Sequence, residues 1–332
     1  MRYLRLRILL WILLLSVTVG AGAQQQQQPI RQCGSGPRYR NLDLAIVQKL
    51  QFAEESAQKV FGLVPESGMP QYSILNVPVV VHVLYNPKTA TSPEIGKIDA
   101  AQIASQIDAL NRDYNPPITA RQSSTVPLRF RNLYASPMLT FTLAKSEWVP
   151  TQTTIFTDAD EAKQAPSGVA PVDTDHQLNI YVVPALTDSN GLVIMGYSSW
   201  PGEPASKDGV VIQYQAFGTT GTAKFPFNQG HTTSHEVGHW FNLHHLWGDA
   251  PDNLSCVADD GVDDTPKQDG PTQGCPAPTA KPKACDNNAD GRMFSNYMDY
   301  TYDACMSMFT QEQVIRMRTA ITQLRTQLGH RG

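Results

Sequence analysis

HEVGHWFNLHH, residues 235–245, places four histidines and one glutamate in eleven positions. Five of the chain's eight histidines fall between His231 and His245. One buried histidine is ordinarily a packing residue, but packing does not account for a cluster of this density. His235 and His239 are four apart, so on a helix they are neighbours on one face. Neutral imidazole nitrogens at that spacing suit tetrahedral zinc. Glu236 falls one residue round the helix, where it contacts a water in the open fourth position and not the metal. A general base needs that placement.

The third ligand is less direct. A helix continued for ten residues would carry His245 about 15 Å along its axis, out of reach of a metal held by His235. The helix must stop and the chain must turn back. Such a turn needs a residue that tolerates positive φ; glycine is the usual choice and asparagine the next best. Asn242 therefore allows the turn. On geometry alone His244 and His245 are equal candidates. Asp259 or Asp260 lies at a plausible distance, but without a matching motif. Glu312, the one glutamate after Glu236, is remote and inside the last helix.

The 332 residues suffice for one large domain or two small ones, and a net charge of -4 offers no basic field for nucleic acid. Arg2, Arg5 and Arg7 precede an apolar run from Ile8 to Val19, and Ala21-Gly22-Ala23 follows. That pattern reads as a signal peptide, residues 1–23. Its core is shorter than the roughly 20 apolar residues a span requires. The expectation is a secreted protein with no membrane association after cleavage, acting as a monomer. Export permits disulfides. Cys256, Cys275, Cys285 and Cys305 suggest two bridges, and Cys33 stands apart.

Gln24 to Gln28 is low-complexity. Residues 42–61 have helical spacing, with Leu42, Ile46, Leu50, Ala53, Ala57 and Val60 along one side, and PESGMP (65–70) breaks the pattern. Residues 24–68 thus read as a separable segment. NVPVVVHVLY (76–85) reads as a buried central strand. Asp99 caps a helix with the stripe Ile103, Ile107, Leu110, Tyr114. MLTFTLAK (138–145), HQLNIYVVP (176–184) and DGVVIQY (208–214) read as strands, which implies an α/β sandwich with a mixed sheet. Residues 246–309 are loop-rich. A last helix begins at Thr310 in a capping box with Gln313, and Val314, Met317, Ile321, Leu324 and Leu328 form its buried side.

HEVGHWFNLHH resembles the metzincin signature HExxHxxGxxH, with Asn242 in the glycine place. NYMDY (296–300) resembles the metzincin Met-turn. DDGVDDTP (259–266), GCP (274–276) and NYMDYTYDACMSMFTQEQ (296–313) are similar to the pappalysin family, especially its short bacterial members, over roughly residues 72–320. The resemblance implies an α/β (α+β) zincin/metzincin fold: a mixed twisted sheet with a backing helix and an active-site helix, then a loop-rich lower subdomain ending in a C-terminal helix. The catalytic domain would cover 69–332, its upper subdomain reaching about 245 and its lower one 246–332, after a pro-segment at 24–68.

The same resemblance implies a secreted zinc metalloendopeptidase acting on proteins or peptides. His245 becomes the third zinc ligand beside His235 and His239. Glu236 activates the water, Met298 floors the metal, and Tyr300 contacts zinc or the transition state. It pairs Cys256 with Cys285 and Cys275 with Cys305. RQCGSG (31–36) resembles a latency motif, which makes Cys33 a zinc ligand in the precursor; a lipidated or inert cysteine is the alternative. The acids Asp259, Asp260, Asp263, Asp264 and Asp269 form a loop where related bacterial enzymes bind calcium. VIMGYSSW (193–200) is expected as the edge strand that pairs with an extended substrate. Some relatives cut before basic residues using an acid where this chain has Ala304, with Asp303 one residue earlier, so a preference for Arg or Lys stays open. Two other readings compete: a non-catalytic secreted binding module, and a zinc hydrolase of non-protein amides.

Overall fold

The computed structural model describes residues 30–62, 72–248 and 256–330. The expected signal peptide, the glutamine run and the expected boundary at residue 68 lie outside these residues. Two helices come first, α1 (Ser35–Arg40) and α2 (Leu44–Gly62). Then come β1 (Leu75–Tyr85), α3 (Ala100–Tyr114), β2 (Tyr134–Ala135), β3 (Leu139–Pro150) and β4 (Phe156–Thr157). They are followed by β5 (Leu178–Val183), β6 (Leu186–Thr187), β7 (Gly196–Ser198), β8 (Val210–Gln213), α4 (His231–Trp240), β9 (Phe309–Thr310) and α5 (Gln311–Leu324).

The main sheet has the order β3-β1-β5-β8-β7. All neighbours are parallel except β7, which runs antiparallel to β8 at the edge. The expected mixed sheet is present, with one correction: β1 is second from the edge and β5 is central. The β1 run is nearly continuously apolar because both of its faces are covered. On one face Val77, Val79, Val81 and Val83 join a core with Ile103, Leu110, Val237 and Phe241. On the other, Leu84 joins Tyr181, Val183, Tyr197 and Val211. Alternation of side chains along a strand separates the two sets.

The caps behave as their chemistry requires. The Asp99 side chain accepts from Gln102 N at the start of α3, and Thr310 with Gln313 forms the full capping box of α5. Leu50, Ala53 and Ala57 are buried on α2, which packs against α5, whereas Val60, expected in the same stripe, is exposed. The two cysteine pairs, Cys256 with Cys285 and Cys275 with Cys305, meet with Cα separations of 5.6 Å. They brace a stretch with little regular structure of its own. Among the described residues no helix is long and apolar enough to cross a membrane.

Candidate metal centre

Helix α4 is buried along its whole length. It ends because Asn242 takes the left-handed conformation, φ +73°. Leu243 N then donates to Gly238 O (2.9 Å), so the chain folds back over the last turn. The reversal brings His245 Nε2 to 3.0 Å from His235 Nε2 and 3.1 Å from His239 Nε2. The remaining pair, His239 and His235, is 3.2 Å apart. His244 points elsewhere: its Nε2 lies 3.1 Å from Glu54 Oε1 on α2.

The tautomers of two rings follow from their partners. His235 Nδ1 donates to Tyr297 O and His239 Nδ1 donates to Leu243 O, both at 2.7 Å. A carbonyl only accepts, so each Nδ1 carries the proton and each Nε2 presents a lone pair. Lone pairs converging at this range repel one another unless a cation lies between them. With neutral imidazole donors and backbone carbonyls holding their far sides, the set fits zinc. Burial drives His235 well below the usual histidine range, with the neighbouring His239 and His245 adding to it, and so keeps it neutral.

Below the rings, Met298 is fully buried. A Cβ on Gly238 would stand 2.5 Å from Met298 Sδ, so Gly238 lets the methionine close against α4. The turn itself is fixed by Asn296 Oδ1, which accepts Met298 N (2.9 Å), and by Asp299 Oδ1, which accepts Tyr300 N (2.8 Å). The Tyr300 ring packs 5.0 Å from that of His245, and Trp247 stacks on His245 from another side. Glu236 is buried beside the rings, and burial pushes its carboxyl up to about 7. Gly196 on β7 leaves it room: a Cβ there would meet Glu236 Cγ at 2.8 Å.

The segment around Cys33 lies in this cleft. Met195 N donates to Gln32 O (2.8 Å) and Gly34 N to Gly196 O (3.0 Å), so the segment runs parallel to the edge strand. Cys33 Sγ sits 3.3 Å from Glu236 Oε2 and 3.6 Å from His239 Nε2. Cys33, His235, His239 and His245 offer ligand atoms within 4.8 Å of one another. They are the one such group of potential metal ligands among the described residues. Cys33 N donates to the Tyr300 hydroxyl (3.1 Å), and Ser35 Oγ donates to Glu236 Oε2 (2.8 Å). Two residues before Cys33, the Arg31 guanidinium enters a closed pocket. There it donates to Asp303 and to Thr232 Oγ1 (2.8 Å) and lies over the Phe227 ring.

The acidic loop is dispersed. Asp259 pairs with Lys267 (2.8 Å), and Asp260 accepts from the Thr265 hydroxyl (2.8 Å). Asp264 accepts Glu312 N at the start of α5 (3.0 Å), Asp263 N donates to Glu312 (2.7 Å), and Asp269 pairs with Arg292. Sequence reasoning missed Arg31, Ser35 and Glu54. The one signal available for Arg31 was a basic residue two positions from Cys33.

A helix carrying two imidazoles and a carboxylate, a left-handed reversal to a third imidazole, and a methionine turn beneath them define a metallopeptidase of the metzincin class. The chain belongs to the pappalysin family. The family model described as pregnancy-associated plasma protein-A matches residues 170–322. An extracellular metalloprotease of Arthroderma otae is 31% identical over 277 residues, 81% of this chain and 86% of that protein. An extracellular metalloprotease of Neurospora crassa is 28% identical over 285 residues, 84% of this chain and 86% of that protein. Among solved structures, mature mirolysin of Tannerella forsythia in complex with a cleaved peptide is 38% identical with a TM-score of 0.67. It covers 78% of this chain and 96% of its own. A promirolysin mutant of the same organism is 34% identical with a TM-score of 0.72, and covers 90% of this chain and 96% of its own.

Proposed function

We propose that this chain is a secreted precursor of a zinc endopeptidase that cuts proteins or peptides before arginine, with residues 24–68 as its pro-segment. His235, His239 and His245 are the metal ligands, and Glu236 is the general base. Zinc, when bound, supplies a Lewis acid that polarises the scissile carbonyl and acidifies a water. The carbonyls of Tyr297 and Leu243 orient two of the rings. Glu236 takes the proton from the attacking water and returns it to the leaving amine. One carboxylate placed beside the water serves both directions of transfer. The Tyr300 hydroxyl donates to the oxygen on which charge develops. Edge strand β7 pairs with the extended substrate.

Cys33 keeps the precursor latent. Its thiol is pushed well above the usual range by burial and by the Glu236 carboxylate. With zinc held by the three imidazoles, Cys33 would be favoured as the thiolate and would take the position the attacking water needs. The promirolysin match reaches further over this chain than the mature one, in keeping with a removable N-terminal part. Asp303, buried and closed on Arg31, is the specificity acid: once the segment leaves, its charge calls for another guanidinium. The backbone pairing of residues 32–34 along β7 favours peptides over small amides as substrates. The activated protein is proposed to act as a monomer.

A calcium ion beside Asp264, in the loop that also carries Asp259, Asp260 and Asp263, completes the proposal. Its support is Asp264 Oδ1, buried without a partner among the described residues, in a neighbourhood where burial raises Asp260, Asp264 and Glu312 together. The observation that carries the main reading is the convergence of three Nε2 atoms within 3.0–3.2 Å. Casein cleavage by the activated protein, abolished by a chelator and restored by zinc, is the test. Cleavage that persists at full rate in chelator overturns it.

A further inference from the structure

We propose that Asp160 and Glu203 form a second subsite for a basic side chain, occupied by the pro-segment beyond Cys33 as Asp303 is occupied before it, so that the activated enzyme favours peptides with arginine on both sides of the bond it cuts. This deepens the peptidase reading above and depends on it.

The occupant already in place is Arg38 on α1, five residues beyond Cys33. Its Nε donates to Glu203 Oε1 (2.9 Å) and its Nη2 to Glu203 Oε2 (2.7 Å), a two-pronged fit of guanidinium to carboxylate. The same Nη2 lies 2.9 Å from Asp160 Oδ2, and Nη1 donates to the Asp158 carbonyl (3.3 Å). The Arg38 guanidinium also stands 5.7 Å from the centre of the Tyr197 ring. Only 10% of the Arg38 side chain is exposed, against 8% for Asp160 and 5% for Glu203, so this is a built pocket and not a surface pairing.

The pocket keeps its shape from elements outside the pro-segment. Glu203 Oε1 accepts Trp200 N (2.8 Å), which aims the carboxylate across the end of the edge strand. Asp160, held in the left-handed region at φ +68°, stands 3.0 Å from Lys163 Nζ. Lys163 is itself fixed by the carbonyls of Lys207 (2.6 Å) and Gly209 (3.1 Å). With Arg38 present, two carboxylates face two cations. When the pro-segment leaves, the same two carboxylates face the Lys163 ammonium alone. One negative charge is then left uncompensated in a mostly buried place, which is costly until another cation enters. A planar guanidinium matches the fork better than an ammonium, so arginine is preferred to lysine.

Arg31 and Arg38 thus lie on either side of Cys33, each in an acid-lined pocket, while the segment crosses the metal group along β7. With a substrate arginine after the scissile bond in the Asp303 pocket, the Glu203 pocket takes a residue before that bond.

The test uses full-length precursor activated by limited proteolysis. Peptides carry arginine after the scissile bond and, at each of four positions before it in turn, Arg, Lys, Ala or Glu. At one of these positions Arg should exceed Ala by on the order of tenfold in kcat/KM, mostly through KM. Glu203→Gln should bring that ratio towards one, and Glu203→Arg should turn the preference to Glu. A wild-type profile with no preference before the bond, or a preference unchanged in both variants, overturns the subsite. Peptides cut without a second preference defeat this proposal alone. A library left wholly uncut defeats the peptidase reading with it.

Discussion

The Arg31 guanidinium and the Asp303 carboxylate form an ion pair closed to solvent, with side-chain exposures of 1% and 0%. Asp303 Oδ2 also accepts Gln229 N (2.7 Å), which locks the carboxylate facing inward. Breaking a buried pair by removing one partner costs about 3–5 kcal/mol. Asp303→Asn should therefore lower kcat/KM for peptides with arginine after the cut by roughly a hundredfold or more relative to leucine peptides. An unchanged arginine preference would remove Asp303 from specificity.

Cys33 takes part in three contacts at the centre, to Glu236, His239 and Tyr300. The Cys33→Ala precursor should cleave a fluorogenic peptide without processing, while Cys33→Ser, a far weaker zinc donor, should show intermediate latency. Rates from intact precursor, checked by mass spectrometry, decide the matter. A Cys33→Ala precursor as silent as the wild type would assign latency to α1 and α2 instead.

Asn242 combines a left-handed backbone with a fully buried amide whose two polar atoms find no partner among the described residues. Asn242→Gly removes both penalties and gives back some chain entropy on unfolding. The net gain should be about 1 kcal/mol, seen as a higher urea midpoint with an unchanged slope. A lower midpoint would mean that the amide has a partner that outweighs the strain.

Asp264 and Glu312 titrate near 6 and 7 because burial raises them, with the neighbouring acids adding to the shift in Glu312. Raised values mean the folded state holds protons more tightly than the unfolded one, whose carboxyls titrate near ~4. The stability these groups contribute is complete below about pH 4 and is lost as pH rises through 6 and 7. Calcium bound at this loop would replace the lost protons. Melting temperature should rise with calcium at pH 8 and far less at pH 5. Equal calcium responses at the two pH values would take the ion away from these carboxylates.

What could be read from the chain was what is local in it. The ligand pair His235 and His239 needs only helical spacing, and the Met-turn and caps need a few neighbouring residues. The choice between His244 and His245 stayed open on spacing because it depends on how far Asn242 swings the chain. Whether Asp303 could stand in for the acid some relatives carry at the place of Ala304 stayed open on sequence; a short 3-10 turn over Asp303–Cys305 buries Asp303 and exposes Ala304. Sequence does not show which of two adjacent side chains such a turn buries. The arginine pockets were invisible for a different reason. Arg31 meets Asp303 across 272 positions and Arg38 meets Glu203 across 165, and no periodicity reports a pairing at that range.

Glu236 stands beside three imidazoles without joining them, so its chemistry separates from the metal's retention. The most direct measurement is zinc content and peptide turnover on one preparation of activated Glu236→Ala. The variant should retain about one zinc per chain, while kcat/KM falls by roughly 10²–10⁴. A zinc-loaded variant that still turns over at the wild-type rate would contradict the account.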